Sequence, residues 1–66
     1  MENEIKKVRK EYGLTQVELA KMLGISQPRI SEMEGQKTVT IQTLRNIAEK
    51  LGISLKELIG KINGKH

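Results

Sequence analysis

The sequence predicts an all-α fold, five short helices gathered into one compact bundle. Two observations carry this. Helix-forming residues dominate, with glycines between them as punctuation, and four of the helix starts pair a polar cap with two apolar residues at staple spacing. Four staples specify the entry angle at four junctions, which favours a bundle with short connections over an extended coil.

Ile5, Val8 and Tyr12 fall at i, i+3 and i+7 and define a first helix from about Asn3 to Tyr12, stopped at Gly13. Thr15 caps the second helix, and Glu18 three residues on completes a capping box. Leu14 and Leu19 are its staple, Leu19, Ala20 and Leu23 its buried stripe, and Gly24 its left-handed stop. The third helix repeats the device with Ser26 as cap and Ile25 and Ile30 as staple. Pro28 lies in its first turn, where a missing N–H does least harm. Ile30 and Met33 face inward, and Met22 and Met33 are packing residues.

Gly35 to Val39 has no apolar pattern and is expected to be a surface loop. Thr40 caps the fourth helix, with Val39 and Leu44 as staple; Ile41, Leu44, Ile47, Ala48 and Leu51 face inward, and Gly52 ends it. Ser54 and Glu57 form a second capping box, Ile53 and Leu58 its staple, and Gly60 closes a short fifth helix. The predicted domain therefore spans residues 1–60, and Lys61 to His66, lacking periodicity, form a flexible tail expected to fray.

At 66 residues the chain has room for one domain, and a chain this short buries roughly 60% of the surface its unfolded form exposes. There is no cysteine, and the single histidine is His66, so disulfides, thiolate metal sites and His-based catalysis are not expected. No nucleophile–base pair, metal-ligand spacing or Gly-rich phosphate loop is present, so neither enzyme activity nor a cofactor is expected. Ser26, Ser31 and Ser54 are accounted for by caps or surface positions. No apolar run reaches the length of a signal or membrane-spanning segment, which predicts a soluble, cytoplasmic protein. The net charge of +4 and a pI near 9.6 favour a polyanionic partner, although many solvated helical surfaces are as basic. Tyr12 is the only aromatic residue, which argues against stacking on single-stranded bases.

Residues Thr15 to Glu34 form two short amphipathic segments around Gly24, the layout of a helix-turn-helix. In that motif one helix braces and the next enters the DNA major groove. With the third helix centred on Ile30, Met33 lies about 60° to one side and Glu34 about 40° to the other. Pro28 and Glu32 then point away from the core, Arg29 and Ser31 lie on the flanks, and Gln27 projects from the N-terminal tip. Such side chains suit base edges: Gln for adenine N6 and N7, Arg for guanine O6 and N7 or a phosphate, Glu for cytosine N4. Pro28 suits a thymine methyl group, and Glu32 would repel phosphate and so act against wrong sequences. The competing reading of the same face is a plain solvated helix.

The pattern Thr15-Gln16-x-x-Leu19-Ala20-x-x-Leu23-Gly24-Ile25-Ser26-Gln27-x-x-Ile30-Ser31-x-x-Glu34 closely resembles the helix-turn-helix of the phage Cro and repressor family, also called the XRE family. Ile5-x-x-Val8-Arg9 upstream and Leu44-x-x-Ile47-Ala48-x-x-Leu51-Gly52-Ile53 downstream extend the likeness to about residues 3 to 59. The resemblance implies a five-helix, lambda-repressor-like DNA-binding domain with the motif at helices 2 and 3. It implies phosphate binding by Gln16 and base reading by Gln27, Pro28 and Glu32, to which the helix geometry adds Arg29. It places Gln36, Lys37 and Thr38 of the following loop on phosphate; Ser31 is grouped with them, and Thr40 and Thr43 are weaker candidates at a helix N-terminus. It also implies a structural ion pair between Arg9 and Glu34. One departure stands out. Relatives commonly read Glu-x-Gly-Lys after the third helix, whereas Glu34-Gly35-Gln36-Lys37 brings the glycine one residue early. An earlier helix end or a shorter loop is the expected result.

One recognition helix reads too few base pairs to pick a site from a genome, so a homodimer on palindromic half-sites roughly 10 base pairs apart is expected. Leu55 and Ile59 are its candidate interface residues. The expected function is sequence-specific double-stranded DNA binding by a transcriptional regulator, a repressor by preference. The alternative is an antitoxin or restriction-modification control subunit whose main partner is a small protein and whose DNA binding serves autoregulation.

Overall fold

The computed structural model describes residues 2–63. Five helices follow one another, α1 (Glu4–Glu11), α2 (Gln16–Leu23), α3 (Gln27–Glu34), α4 (Ile41–Leu51) and α5 (Leu55–Asn63), with no strand among the described residues.

Each helix start is fixed by a side-chain oxygen accepting a free backbone amide of the first turn. Asn3 accepts from Lys6 at 3.2 Å, Ser26 from Arg29 at 3.3 Å, Thr40 from Thr43 at 3.2 Å and Ser54 from Glu57 at 3.0 Å. Thr15 makes the full capping box: its hydroxyl accepts from the Glu18 amide at 3.0 Å, and the Glu18 carboxylate accepts from the Thr15 amide at 2.8 Å. At Ser54 only the forward half of the expected box is present among the described residues.

Three helix ends share a second device. Gly13, Gly24 and Gly52 take φ of 64°, 72° and 75°, which only glycine adopts without strain. The next residue then donates back five positions: Leu14 to Arg9 at 2.9 Å, Ile25 to Ala20 at 3.0 Å, Ile53 to Ala48 at 3.0 Å. That same apolar residue immediately precedes the cap of the following helix. Three consecutive residues, glycine, apolar, Ser or Thr, thus end one helix and begin the next at Gly13-Leu14-Thr15, Gly24-Ile25-Ser26 and Gly52-Ile53-Ser54.

Every helix sends at least one side chain to the centre. Ile5 and Val8 of α1, Leu19 of α2, Ile30 of α3, Ile47 of α4 and Leu58 of α5 are fully buried, with Ala20, Met33, Leu44, Ala48 and Ile62 around them. α2 packs on α3, while α5 bridges α1 and α4.

Three expectations are corrected. Gly60 does not close α5, which continues through it to Asn63. Leu55, Leu58 and Ile62 keep the i, i+3, i+7 stripe, and Ile62 is buried in the core, so apolar burial outweighs the helix cost of one glycine. The ammonium of Lys61 also lies 5.9 Å from the centre of the Tyr12 ring, a cation–π contact between α5 and the C-cap of α1. Residues 61–63 therefore belong to the folded unit, and the rest of the expected tail lies outside the described residues. Ile41, expected inward, is 53% exposed: it opens α4, and its side chain leans back towards the helix start, past the end of the core. Ile25 of the Ile25–Ile30 staple is only partly covered, beside Leu23, Arg29 and Met33.

Candidate nucleic-acid interface

Ile30 and Met33 turn one side of α3 into the core, which leaves Pro28, Arg29, Ser31 and Glu32 exposed on the other. Gln27 stands at the N-terminal tip, half-buried. This placement follows from the 3.6-residue period, with Ser26 setting where the helix begins.

Behind that face runs a line of polar side chains rooted in the Arg9–Glu34 pair. The Arg9 guanidinium meets Glu34 through Nε to Oε2 at 2.6 Å and Nη2 to Oε1 at 3.3 Å. Its Nη1 donates to the Leu14 carbonyl at 3.1 Å, tying the α1–α2 junction to the same group. Gln16 Nε2 donates to Glu34 Oε1 at 3.1 Å, and Gln27 Nε2 donates to Gln16 Oε1 at 2.5 Å.

The direction of this line is dictated at its root. An ionised carboxylate only accepts, so Gln16 must turn its NH2 towards Glu34 and its oxygen towards Gln27. Gln27 must then present its NH2 in turn. Its Oε1 and its second amide hydrogen remain for another partner, the acceptor-and-donor pair that adenine N6 and N7 require. Gln16 likewise keeps one amide hydrogen that a phosphate oxygen can accept.

The carboxyl of Glu34 is held below the usual carboxylate range. Burial opposes its charge, but the hydrogen bonds from Arg9 and Gln16 and the positive charge of Arg9 outweigh burial. The root therefore stays ionised at neutral pH, and the polarity of the line with it.

Arg29 and Glu32, both expected to read bases, bond each other across one turn of the exposed face, Nη1 to Oε1 at 2.7 Å. At 54% and 66% side-chain exposure this pair is a weak one, and Arg29 is cheaply redirected to a base or phosphate. Gln36, Lys37 and Thr38 are exposed on the loop between α3 and α4. α3 ends at Glu34, and Gly35 follows in a right-handed conformation with φ −87°, so the early glycine supplies no left-handed turn. Thr40 is occupied as the α4 cap, and its hydroxyl lies 3.0 Å from that of Thr43. Leu55 and Ile59 on α5 are half-buried, Leu55 packing against the core.

One side chain of the site went unread in the sequence. Asn3, buried at the start of α1, reaches the end of α3, its Nδ2 donating to Met33 O at 2.7 Å and Gln36 O at 2.9 Å. Its capping chemistry is visible in the residue type. Its partners, 30 and 33 positions away, leave no local signal.

A family model described as helix-turn-helix matches residues 5–58. The chain is 41% identical over 54 residues to the uncharacterized HTH-type transcriptional regulator y4dJ of Sinorhizobium fredii, covering 80% of this chain and 70% of that protein. It is 34% identical over 58 residues to the antitoxin PezA of Streptococcus pneumoniae serotype 4, covering 86% of this chain but only 37% of that protein. No solved structure matches the chain.

Proposed function

The chain belongs to the helix-turn-helix family of the phage Cro and repressor type, and from that premise we propose that this DNA-binding regulator acts as a dimeric repressor on a palindromic operator in the cytoplasm. The observation that supports it best is the polar face of α3, backed by the line from Gln27 through Gln16 to the Glu34–Arg9 pair. Such a line immobilises a base-reading amide before DNA arrives, so less side-chain freedom is lost on binding.

In this reading Gln27, Pro28, Arg29 and Glu32 face base edges. Gln16, Ser31, Gln36, Lys37 and Thr38 hold the backbone, with Thr40 and Thr43 behind them. Phosphate contacts supply register and affinity, and base contacts supply choice. Leu55 and Ile59 join two copies so that their α3 helices meet the major groove one helical turn apart. The chain carries out binding and no chemistry of its own. No helix among the described residues is long and apolar enough to cross a membrane.

Selection of bound duplexes from a randomised pool, followed by sequencing, tests the proposal. Two inverted half-sites spaced by about one turn are expected; recovery of unrelated sequences at equal affinity would overturn sequence-specific binding.

A second reading is favoured by the likeness to the antitoxin PezA. There the chain is the DNA-binding part of an antitoxin or control subunit, and a small protein is its main partner. Co-purification from the host in a fixed ratio with one protein favours this second reading; a homodimer alone favours the first.

A further inference from the structure

α1, α2 and α4 each end in a left-handed glycine whose successor bonds back five positions, a closure that needs nothing beyond the local sequence. α3 has no such end. Gly35 stays right-handed, and the Gln36 amide reaches back only to the Met33 carbonyl, at 3.2 Å. The exit of the recognition helix therefore lacks the local closure that its neighbours have.

Asn3 supplies it from the other end of the fold. Both of its donors are used: Oδ1 accepts from the Lys6 amide, and the two Nδ2 hydrogens go to the carbonyls of Met33 and Gln36. Carbonyls only accept, so the amide can sit in no other orientation. At 7% exposure it is the buried polar residue among those described, and it gives a partner to both carbonyls, that of Met33 also accepting from the Gln36 amide.

The bond to Gln36 has a directional consequence. The Gln36 carbonyl and the Lys37 N–H belong to one planar trans peptide and point in opposite directions. Because the Gln36 carbonyl turns to the buried Asn3, the Lys37 N–H turns away from it, on a loop where Lys37 itself is exposed.

We infer that Asn3 is a positioning residue for DNA binding: it holds the α3–α4 loop so that the backbone amide and side chain of Lys37 meet a phosphate together. The inference rests on the DNA-binding reading of α3. It makes the start of α1 a determinant of backbone affinity, though it touches no nucleic acid.

Asn3→Asp separates this role from capping. Aspartate caps a helix as well as asparagine and suits its N-terminus, but it has no N–H to donate and sets a carboxylate against two carbonyl oxygens. Asn3→Ser is the companion variant, a cap without the charge or the reach. Each full-length variant is compared with the wild-type chain at a temperature where circular dichroism shows it folded. Binding to the duplex selected by the wild-type protein is measured across a salt series, and amide hydrogen exchange is followed without DNA.

The expected result has three parts. The salt slope falls by about one in both variants. Base preference in the randomised pool is unchanged. Exchange quickens at Gly35 and Gln36, while the α1 amides keep their protection. A slope and loop exchange equal to wild type would overturn the inference, as would altered base preference at an unchanged slope. If the wild-type chain binds no duplex, the DNA-binding reading fails by itself, and unaltered exchange at Gly35 and Gln36 still overturns the clamp.

Discussion

Replacing Glu34 by alanine tests the root of the polar line most directly. The Glu34 side chain is 7% exposed and that of Arg9 18%, so the pair is largely withdrawn from water. Removing one partner of a buried pair costs roughly 3–5 kcal/mol, because the charge left behind has lost its compensation. Arg9 keeps its bond to Leu14 O and lies towards the surface, which sets the expectation at the lower end, about 3 kcal/mol. Glu32 provides the contrast. It also pairs with an arginine, but across one exposed turn, and such pairs contribute only about 0.2–0.5 kcal/mol. For a domain of this size 1 kcal/mol moves Tm by roughly 4–8 °C, so Glu34→Ala should melt about 12–24 °C below wild type. Glu32→Ala should melt within about 4 °C of it. The chain has no tryptophan, so helix content followed by far-UV circular dichroism is the probe. A double Arg9→Met, Glu34→Leu variant should recover most of the loss, since nothing charged is then stranded. Coincident melting curves for the two Glu→Ala variants would refute the reasoning.

The same pair fixes an acid limb. A carboxyl depressed by Arg9 and Gln16 contributes stability that is fully present above the ordinary carboxylate pKa of about 4.3 and is lost as pH falls through its lower folded value. Urea midpoints taken from pH 7 down to 2 should therefore fall more steeply for wild type than for Glu34→Gln. On DNA, Gln27→Ala should relax base preference at one position of each half-site, whereas Lys37→Ala should weaken all sequences alike and lower the salt slope by about one. Gel shifts on a randomised duplex pool read both, and an unchanged preference in the Gln27 variant counts against base reading by that residue. Glycine substitutions should divide by conformation. Gly24→Ala, at φ 72°, should cost about 1 kcal/mol or more, while Gly35→Ala, right-handed with 3.4 Å to the nearest atom, should add about 0.4–1 kcal/mol in chemical denaturation. Ile62→Ala should cost about 2–4 kcal/mol if α5 is anchored through Ile62; a melt equal to wild type would restore the frayed tail.

Features written within four or five residues were legible in the sequence. The caps at Thr15, Ser26, Thr40 and Ser54, the stops at Gly13, Gly24 and Gly52 and the apolar stripes all act locally, and residue type alone nearly decides them. Gly60 is ambiguous in the sequence because a glycine inside a helix and one just past its end look alike until burial is known. The distinguishing signals were present: Gly60 is followed by Lys61 rather than an apolar residue and a cap, and Ile62 continues the stripe of Leu55 and Leu58. Ile41 departs from its stripe because periodicity gives the angle around a helix and not the position along it, and the core does not reach the first residue of α4. In the candidate interface, the exposed side of α3 followed from its period. The bonds that orient Gln27, Gln16 and Asn3 join residues 11 to 33 positions apart, and no local pattern encodes such pairings.

The glycine–apolar–cap triads bear on how quickly the chain finds its shape. Each settles an interhelical corner from three adjacent residues, so little loop-closure entropy must be lost before contacts form, and contact order stays low. Helical domains of low contact order fold in microseconds to milliseconds. Within such a search the corners at Gly13, Gly24 and Gly52 can form independently and early. The connection from α3 to α4 has no triad and must wait for Asn3 to arrive from about 30 residues away. Loop closure therefore predicts that this corner closes last and opens first, an order that native-state amide exchange at Gly35 and Gln36 would read.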